Sequence, residues 1–160
     1  MTTTTDSSTP STPSAPVGGE RRVDILLAHY GESHQNPRNE LIHFIAIPLI
    51  MLSLVGMMFA LHPYVAYAFI AASMVYYARL SVVFLITMAV LSLAFIGVIF
   101  AMGPLVLPVC IAIFVGAWIL QFIGHKIEGK KPSFFEDIQY LWVGPLFVLS
   151  KLFEKLHIRW

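Results

Sequence analysis

Between Glu40 and Lys126 the chain has one charged side chain, Arg79, which divides this stretch into two uncharged blocks, Leu41–Ala78 and Leu80–His125. A membrane-crossing helix needs about 20 predominantly apolar residues, so each block has room for two spans joined by a tight turn. The turns are marked by His62-Pro63 and Gly103-Pro104. The residue before a proline is pushed out of the helical region, and glycine beside proline is a helix stop. These signals predict spans near 44–61, 64–78, 81–102 and 104–123. The second is short, and a re-entrant segment is its alternative. The fold class expected is all-α: a polytopic membrane protein with four transmembrane helices and helical segments at both cytoplasmic ends.

Composition excludes the main competitor. Hydrophobic residues make up 58% and charged residues 12%, against about 45–50% and about 25% in an ordinary soluble domain. A net charge of +1 provides no basic field for nucleic acid. The single cysteine, Cys110, lies in an apolar run and rules out an intramolecular disulfide; it is expected to be a small packed or lipid-facing residue. Residues 1–19 are mainly Thr, Ser, Pro and Gly, a composition that cannot bury enough surface to offset the entropy of ordering, so a disordered tail is expected there. Residues 20–160 then form one membrane domain. No apolar segment lies near the start, so no cleaved signal is expected.

Charge tests the span count independently, because Lys and Arg accumulate in cytoplasmic loops. With four spans, Arg21, Arg22 and Arg38, then Arg79, then Lys126, Lys130, Lys131, Lys151, Lys155 and Arg159 all fall on one side. Both termini are therefore expected in the cytoplasm. The chain ends without a retention signal of the Lys-Asp-Glu-Leu type, which favours a bacterial inner membrane over the endoplasmic reticulum.

An even number of spans also gathers the chain's polar chemistry. Asn36 is a good helix N-cap and Pro37 suits the first helical position, so span one should begin there, after a short helix ending near Gln35. Asn39 and His43 are i, i+4 neighbours at its mouth. At the far end of the last span, Trp118, Gln121, His125 and Glu128 fall at helical offsets 0, 3, 7 and 10, a single stripe. Polar groups at membrane depth face a bundle interior or a cavity and are functional candidates by default. His62 and His157 are read as capping or headgroup contacts, while His29 stays open between that role and the site. His34, His43 and His125 would meet on one membrane face with Glu128, Asn39 and Gln121. Three imidazoles with a carboxylate or water suit Fe, Zn or Mn.

The pattern of Tyr30, His34, Asn39, His43 and Pro48, followed by Trp118, Gln121, Phe122, Gly124, His125, Glu128, Pro132 and Gly144-Pro145-Leu146-Phe147, resembles the membrane 2-hydroxy fatty acid dioxygenase family. The resemblance covers residues 23–150; the family includes a yeast enzyme of phytosphingosine breakdown and bacterial homologues. It implies an iron(II)-dependent dioxygenase that uses O2 to shorten a 2-hydroxy fatty acid by one carbon. It implies further that His34, His43 and His125 ligate Fe(2+), that Asn39, Gln121 and Glu128 touch the metal or its ligands, and that Tyr30 or Lys130 orients the substrate carboxylate. The acid's tail would partition among the spans and its head would meet the cytoplasmic interface. Lys126, Lys130 and Lys131 equally suit attraction of anionic lipid headgroups.

The run 138–149 is too short to span. With Leu146, Leu149, Leu152, Phe153 and Leu156 opposite Lys151, Glu154 and Lys155, an interfacial helix over about 138–156 is expected to lie on the cytoplasmic surface and cover the site. Two function classes follow. One is the oxygenase acting on a fatty acid and O2 among membrane lipids; the other is a non-catalytic membrane protein whose histidines bind lipid, a partner or a structural metal.

Overall fold

The computed structural model describes residues 21–32, 34–129 and 140–160. The Thr/Ser/Pro tail, Lys130, Lys131 and Pro132 lie outside the described residues, as does the start of the expected interfacial helix. The described residues are helical and contain no strand. Helix α1 is Arg22–Gly31, α2 Pro37–Leu61, α3 Pro63–Ala78 and α4 Val82–Met102; a 3-10 turn at Gly103–Leu105 leads into α5, Val106–Glu128, and α6 is Val143–Lys155.

Local sequence explains most boundaries. Asn36 is extended and its side chain accepts from Arg38 N at 3.0 Å, with Pro37 in the first turn of α2, so the expected cap is in place. His62 ends α2 and caps α3, its Nδ1 accepting from Tyr64 N at 3.3 Å; the capping role expected of His62 is its role here. Gly103, with φ of 54°, ends α4 in a conformation that glycine adopts without a Cβ penalty. Gly129, with φ of 74°, ends α5 in the left-handed region.

The short first helix stops at Gly31 rather than near Gln35, α5 runs on past the span expected to 123 as far as Glu128, as the stripe of Trp118, Gln121, His125 and Glu128 requires, and the C-terminal helix is described over Val143–Lys155. Extension of α5 carries His125 and Glu128 on the same rigid helix as Trp118 and Gln121. Pro37–Leu61 and the helical run Val82–Glu128 are long and apolar enough to cross a membrane, and only 39% and 22% of their most apolar windows are buried inside the protein. A core helix of a soluble protein would be mostly buried. With 16 residues, α3 is about 24 Å long at 1.5 Å per residue, shorter than a typical hydrocarbon core of about 30 Å.

Among the described residues, helices α2 and α5 form the most extensive packing. They run antiparallel and approach closely at small residues near both ends, as helices do when backbone contact replaces large side chains. At one end a Cβ on Gly56 would lie 2.3 Å from Cys110 Sγ and 3.6 Å from Ile99 Cγ1. Cys110 is therefore a packed residue. At the other end a Cβ on Gly124 would lie 2.3 Å from Asn39 Oδ1 and 3.3 Å from His43 Cε1.

Two apolar clusters mark the two ends of the bundle. Leu52, Val55, Ala66 and Ile99 pack near the 62–63 and 103–105 turns. Val23, Leu27, Tyr77, Phe84, Met88, Leu146 and Phe147 pack near the opposite end. Helices α1 and α6 thus lie together over the end where α3 meets α4, α2 begins and α5 finishes. Trp142 secures α6 there by donating from Nε1 to Ser73 Oγ at 2.9 Å.

Candidate metal centre

His34 follows α1, His43 lies two turns into α2, and His125 lies in the last turn of α5. Antiparallel packing of α2 and α5 brings the latter two together, and the short link from Gly31 to Pro37 returns His34 over them. All three are buried, at 6%, 0% and 6% exposure. Ring centroids are 4.4 Å apart for His34–His43, 5.1 Å for His43–His125 and 5.7 Å for His34–His125. One nitrogen from each ring lies within 4.8 Å of the others.

Backbone geometry sets the direction of two rings. His34 Nδ1 donates to Tyr30 O at 2.7 Å and His43 Nδ1 donates to Asn39 O at 3.0 Å, each four residues back along the chain. A carbonyl only accepts, so both rings carry their proton on Nδ1 and present a lone pair at Nε2. Metal-ligating histidines use this arrangement to fix ring and tautomer. Stacking of the Tyr30 ring on His34, with centroids 4.2 Å apart and planes at 12°, holds that ring further.

His43 Nε2 is buried without a hydrogen-bond partner. A buried unpaired acceptor costs about 1–3 kcal/mol, and a cation shared with the neighbouring imidazoles would relieve it. A divalent ion lies about 2.0–2.1 Å from imidazole nitrogens, so small side-chain shifts would close the three nitrogens, within 4.8 Å of one another, onto one ion. The residues present fit a metal ion.

Glu128 stands beside this cluster in a different task. Its Oε1 accepts from Gln35 N at 2.8 Å, and its Oε2 accepts from Asn36 N at 2.9 Å and Asn39 Nδ2 at 2.9 Å. The carboxylate at the end of α5 thus clasps the start of α2, where free N–H groups and the helix dipole favour an anion. The i, i+4 spacing of Asn39 and His43 predicts that the Asn39 side chain holds His43 or His125. Its amide instead donates to Glu128, and its main-chain carbonyl takes His43. The reason is length: the His43 Nδ1 already reaches the i−4 carbonyl, leaving the amide free to cross to the neighbouring helix.

Gln121 and Trp118 are buried against α2. Trp118 packs with Ile50 and Ala117. Gln121 lines a small cavity with Tyr30, Ile47, Gly144 and Trp118, and its Oε1 has no hydrogen-bond partner. Tyr30 directs its hydroxyl towards Gly144, where a Cβ would lie 3.4 Å away, and its ring towards His34. His29 is exposed and hydrogen-bonded to the Tyr140 hydroxyl at 2.8 Å, outside the triad. His157 is exposed in the turn after α6.

The sequence pattern includes Gly124 without a role for it; its missing side chain lets Asn39 and His43 approach α5. Its position one residue before His125, on the side of α5 that meets α2, was the available signal. Gly124→Ala should lower metal affinity and thermal stability together, although alanine normally gains up to about 1 kcal/mol over glycine inside a helix. Gly116, also in α5, has nothing within 4 Å of its Cβ position. Metal titration and melting of both alanine variants check the expectation, and a Gly124→Ala protein that behaves like Gly116→Ala would contradict it.

The described residues thus combine two helical segments long and apolar enough to cross a membrane with a buried three-histidine cluster that could hold a metal ion. Residues 21–156 match the family described as 2-hydroxy-palmitic acid dioxygenase Mpo1-like. The chain belongs to that family. No curated protein and no solved structure matches it.

Proposed function

We propose that this protein is an Fe(II)-dependent dioxygenase that shortens 2-hydroxy fatty acids by one carbon, with His34, His43 and His125 as the iron ligands. The observation that carries this reading is the pair of Nδ1–carbonyl hydrogen bonds that turn His34 and His43 towards each other and His125. Membership of a family named for a 2-hydroxy-palmitic acid dioxygenase supports the reaction. Imidazole suits several divalent metals, but cleavage of a carbon–carbon bond with O2 favours a redox ion, and zinc is redox-inert.

When bound, iron supplies electron exchange with O2 and coordination for the acid's hydroxyl and carboxylate oxygens. The chain supplies the rest. Backbone carbonyls of Tyr30 and Asn39 hold two rings in one tautomer, and Glu128 with Asn39 locks the start of α2 against the end of α5. Burial of the three histidines keeps bulk water from the reacting end of the acid. One 2-hydroxy acid and one O2 balance as a carboxylic acid one carbon shorter, CO2 and water, with no external reductant. Protein purified without oxygen should therefore contain iron and consume 2-hydroxypalmitate and O2 in equal amounts, with palmitate left untouched. Iron-loaded protein that binds the acid but consumes no O2 would favour a non-catalytic lipid-binding role.

In the same reading, residues 20–160 are one membrane domain crossing four times, with α2, α3, α4 and α5 as the spans and both termini cytoplasmic. The charge distribution supports this, as does the position of α1, the α3–α4 turn and α6 at one end of the bundle. The shortness of α3 is accommodated by thinning of the bilayer beside it. A bacterial inner membrane is the setting proposed. With Cys110 replaced by alanine, a cysteine at exposed Glu154 should label only from the cytoplasmic side, and one at His62 only from the opposite side. The reverse pattern at either position would refute four spans.

A further inference from the structure

We propose that the acyl chain of the substrate lies in the groove between the first turns of α2 and the last turns of α6, and that Lys151 receives its carboxylate. This rests on the oxygenase reading above and adds a path and a head-group residue to it. Two adjacent cavities, of about 450 Å³ and about 460 Å³, both have Glu40 and Lys151 in their walls. The first reaches His34 and includes Phe147 and Ser150. The second is lined by Leu41, Phe44 and Leu152, with Lys155 at its edge.

This pair of cavities has the polarity of a fatty acid. Leu41 and Phe44 are 62% and 42% exposed and lie one and two turns into α2, on a surface that would face lipid. A chain dissolved in the bilayer can move sideways onto them without crossing water, with apolar contact offsetting its transfer. The head then passes between Glu40 and Lys151 towards His34. Lys151 Nζ sits over the Phe147 ring, 5.5 Å from its centroid, and that ring is 5.6 Å from His34. One aromatic ring therefore separates the ammonium from the metal-capable triad, and the flexible lysine stem can follow a carboxylate across it.

The surrounding charges single out Lys151. Asp24, Glu32, Glu40 and Glu154 line the inner cavity. Asp24 is engaged by Arg21 at 2.8 Å and 2.9 Å. Among the described residues no carboxylate lies within ion-pair distance of Lys151. The ammonium is thus available to an incoming acid, while the unpaired acids oppose anions that Lys151 does not hold. Lys155 lines only the outer cavity.

Full-length iron-loaded protein tests this in two ways. Lys151→Met should raise KM for 2-hydroxypalmitate by about tenfold or more, as loss of a charge-assisted contact implies, with iron content unchanged and kcat at saturating acid affected far less. Lys151→Arg should recover most of the loss, and Glu40→Gln should lower KM. Separately, 2-hydroxypalmitate bearing a diazirine on its terminal carbon, photolysed without oxygen, should label Leu41, Phe44 or Leu152. An unchanged KM in Lys151→Met, or labelling confined to other helices, overturns the path. Equal labelling by a diazirine-bearing anionic phospholipid that the acid cannot displace also overturns it, because the groove would then be a lipid site. Labelling without turnover in the wild type would retain the groove and refute the reaction; turnover without labelling would do the opposite.

Discussion

Replacing His43 with alanine is expected to leave a folded protein with neither bound iron nor turnover. His43 is the most enclosed of the three histidines, fully buried between α2 and α5, with Nδ1 fixed on Asn39 O and Nε2 without a protein partner. No other described Cys, Asp or Glu joins the three-histidine group, so no neighbour can replace it. His34→Ala and His125→Ala should have the same outcome. Truncating a buried side chain leaves a void and some loss of stability, but the apolar clusters at the two ends of the bundle remain. Melting in detergent separates that loss from loss of metal. His29→Ala, His62→Ala and His157→Ala should keep iron and activity, because these rings bond to Tyr140, cap α3 and face outward, respectively. Iron stoichiometry measured beside O2 consumption decides the matter. A His125→Ala protein that retains both would remove His125 from the centre.

The second large effect is expected at the clasp between α5 and α2. Glu128→Ala removes the acceptor for Gln35 N, Asn36 N and Asn39 Nδ2 in one step, freeing the segment that carries His34 and the turn that carries His43. Groups that support metal ligands typically cost 10- to 100-fold in affinity or activity when removed, and a loss in that range is expected. Asn39→Ala should lose less than Glu128→Ala. It breaks one of the clasp's bonds while keeping the backbone carbonyl that orients His43. Glu128→Gln should fall between wild type and Glu128→Ala, because an amide oxygen still accepts but the charge at the start of α2 is gone. The double variant Asn39→Ala/Glu128→Ala should resemble Glu128→Ala alone, as expected for partners in one network. Iron titration monitors all four proteins, and additive losses in the double variant would show that the two residues act separately.

Helix identity in this chain is a local property and was readable without coordinates. Asn36-Pro37 starts α2, His62-Pro63 separates α2 from α3, and Gly103-Pro104 ends α4, because caps and steric stops depend on a few neighbouring residues. Uncharged length likewise identified the long apolar helices. The three histidines were recognisable from their pattern and from the requirement that both polar ends of the chain meet. Tertiary structure alone decided what each polar group holds. Glu128 reaches Gln35 and Asn36, and Asn39 turns its amide to Glu128 rather than to a histidine. Those pairings depend on the rotation and separation of α2 and α5, which Gly56–Cys110 and Gly124–Asn39 contacts set across distant parts of the sequence. The same is true of Lys151: its sequence marked a polar helix face, and only the placement of α6 beside α2 put that lysine in the cavity that reaches His34. Hydrogen bonding four residues back along a helix is encoded locally, whereas a bond between helices exists only once both have been packed.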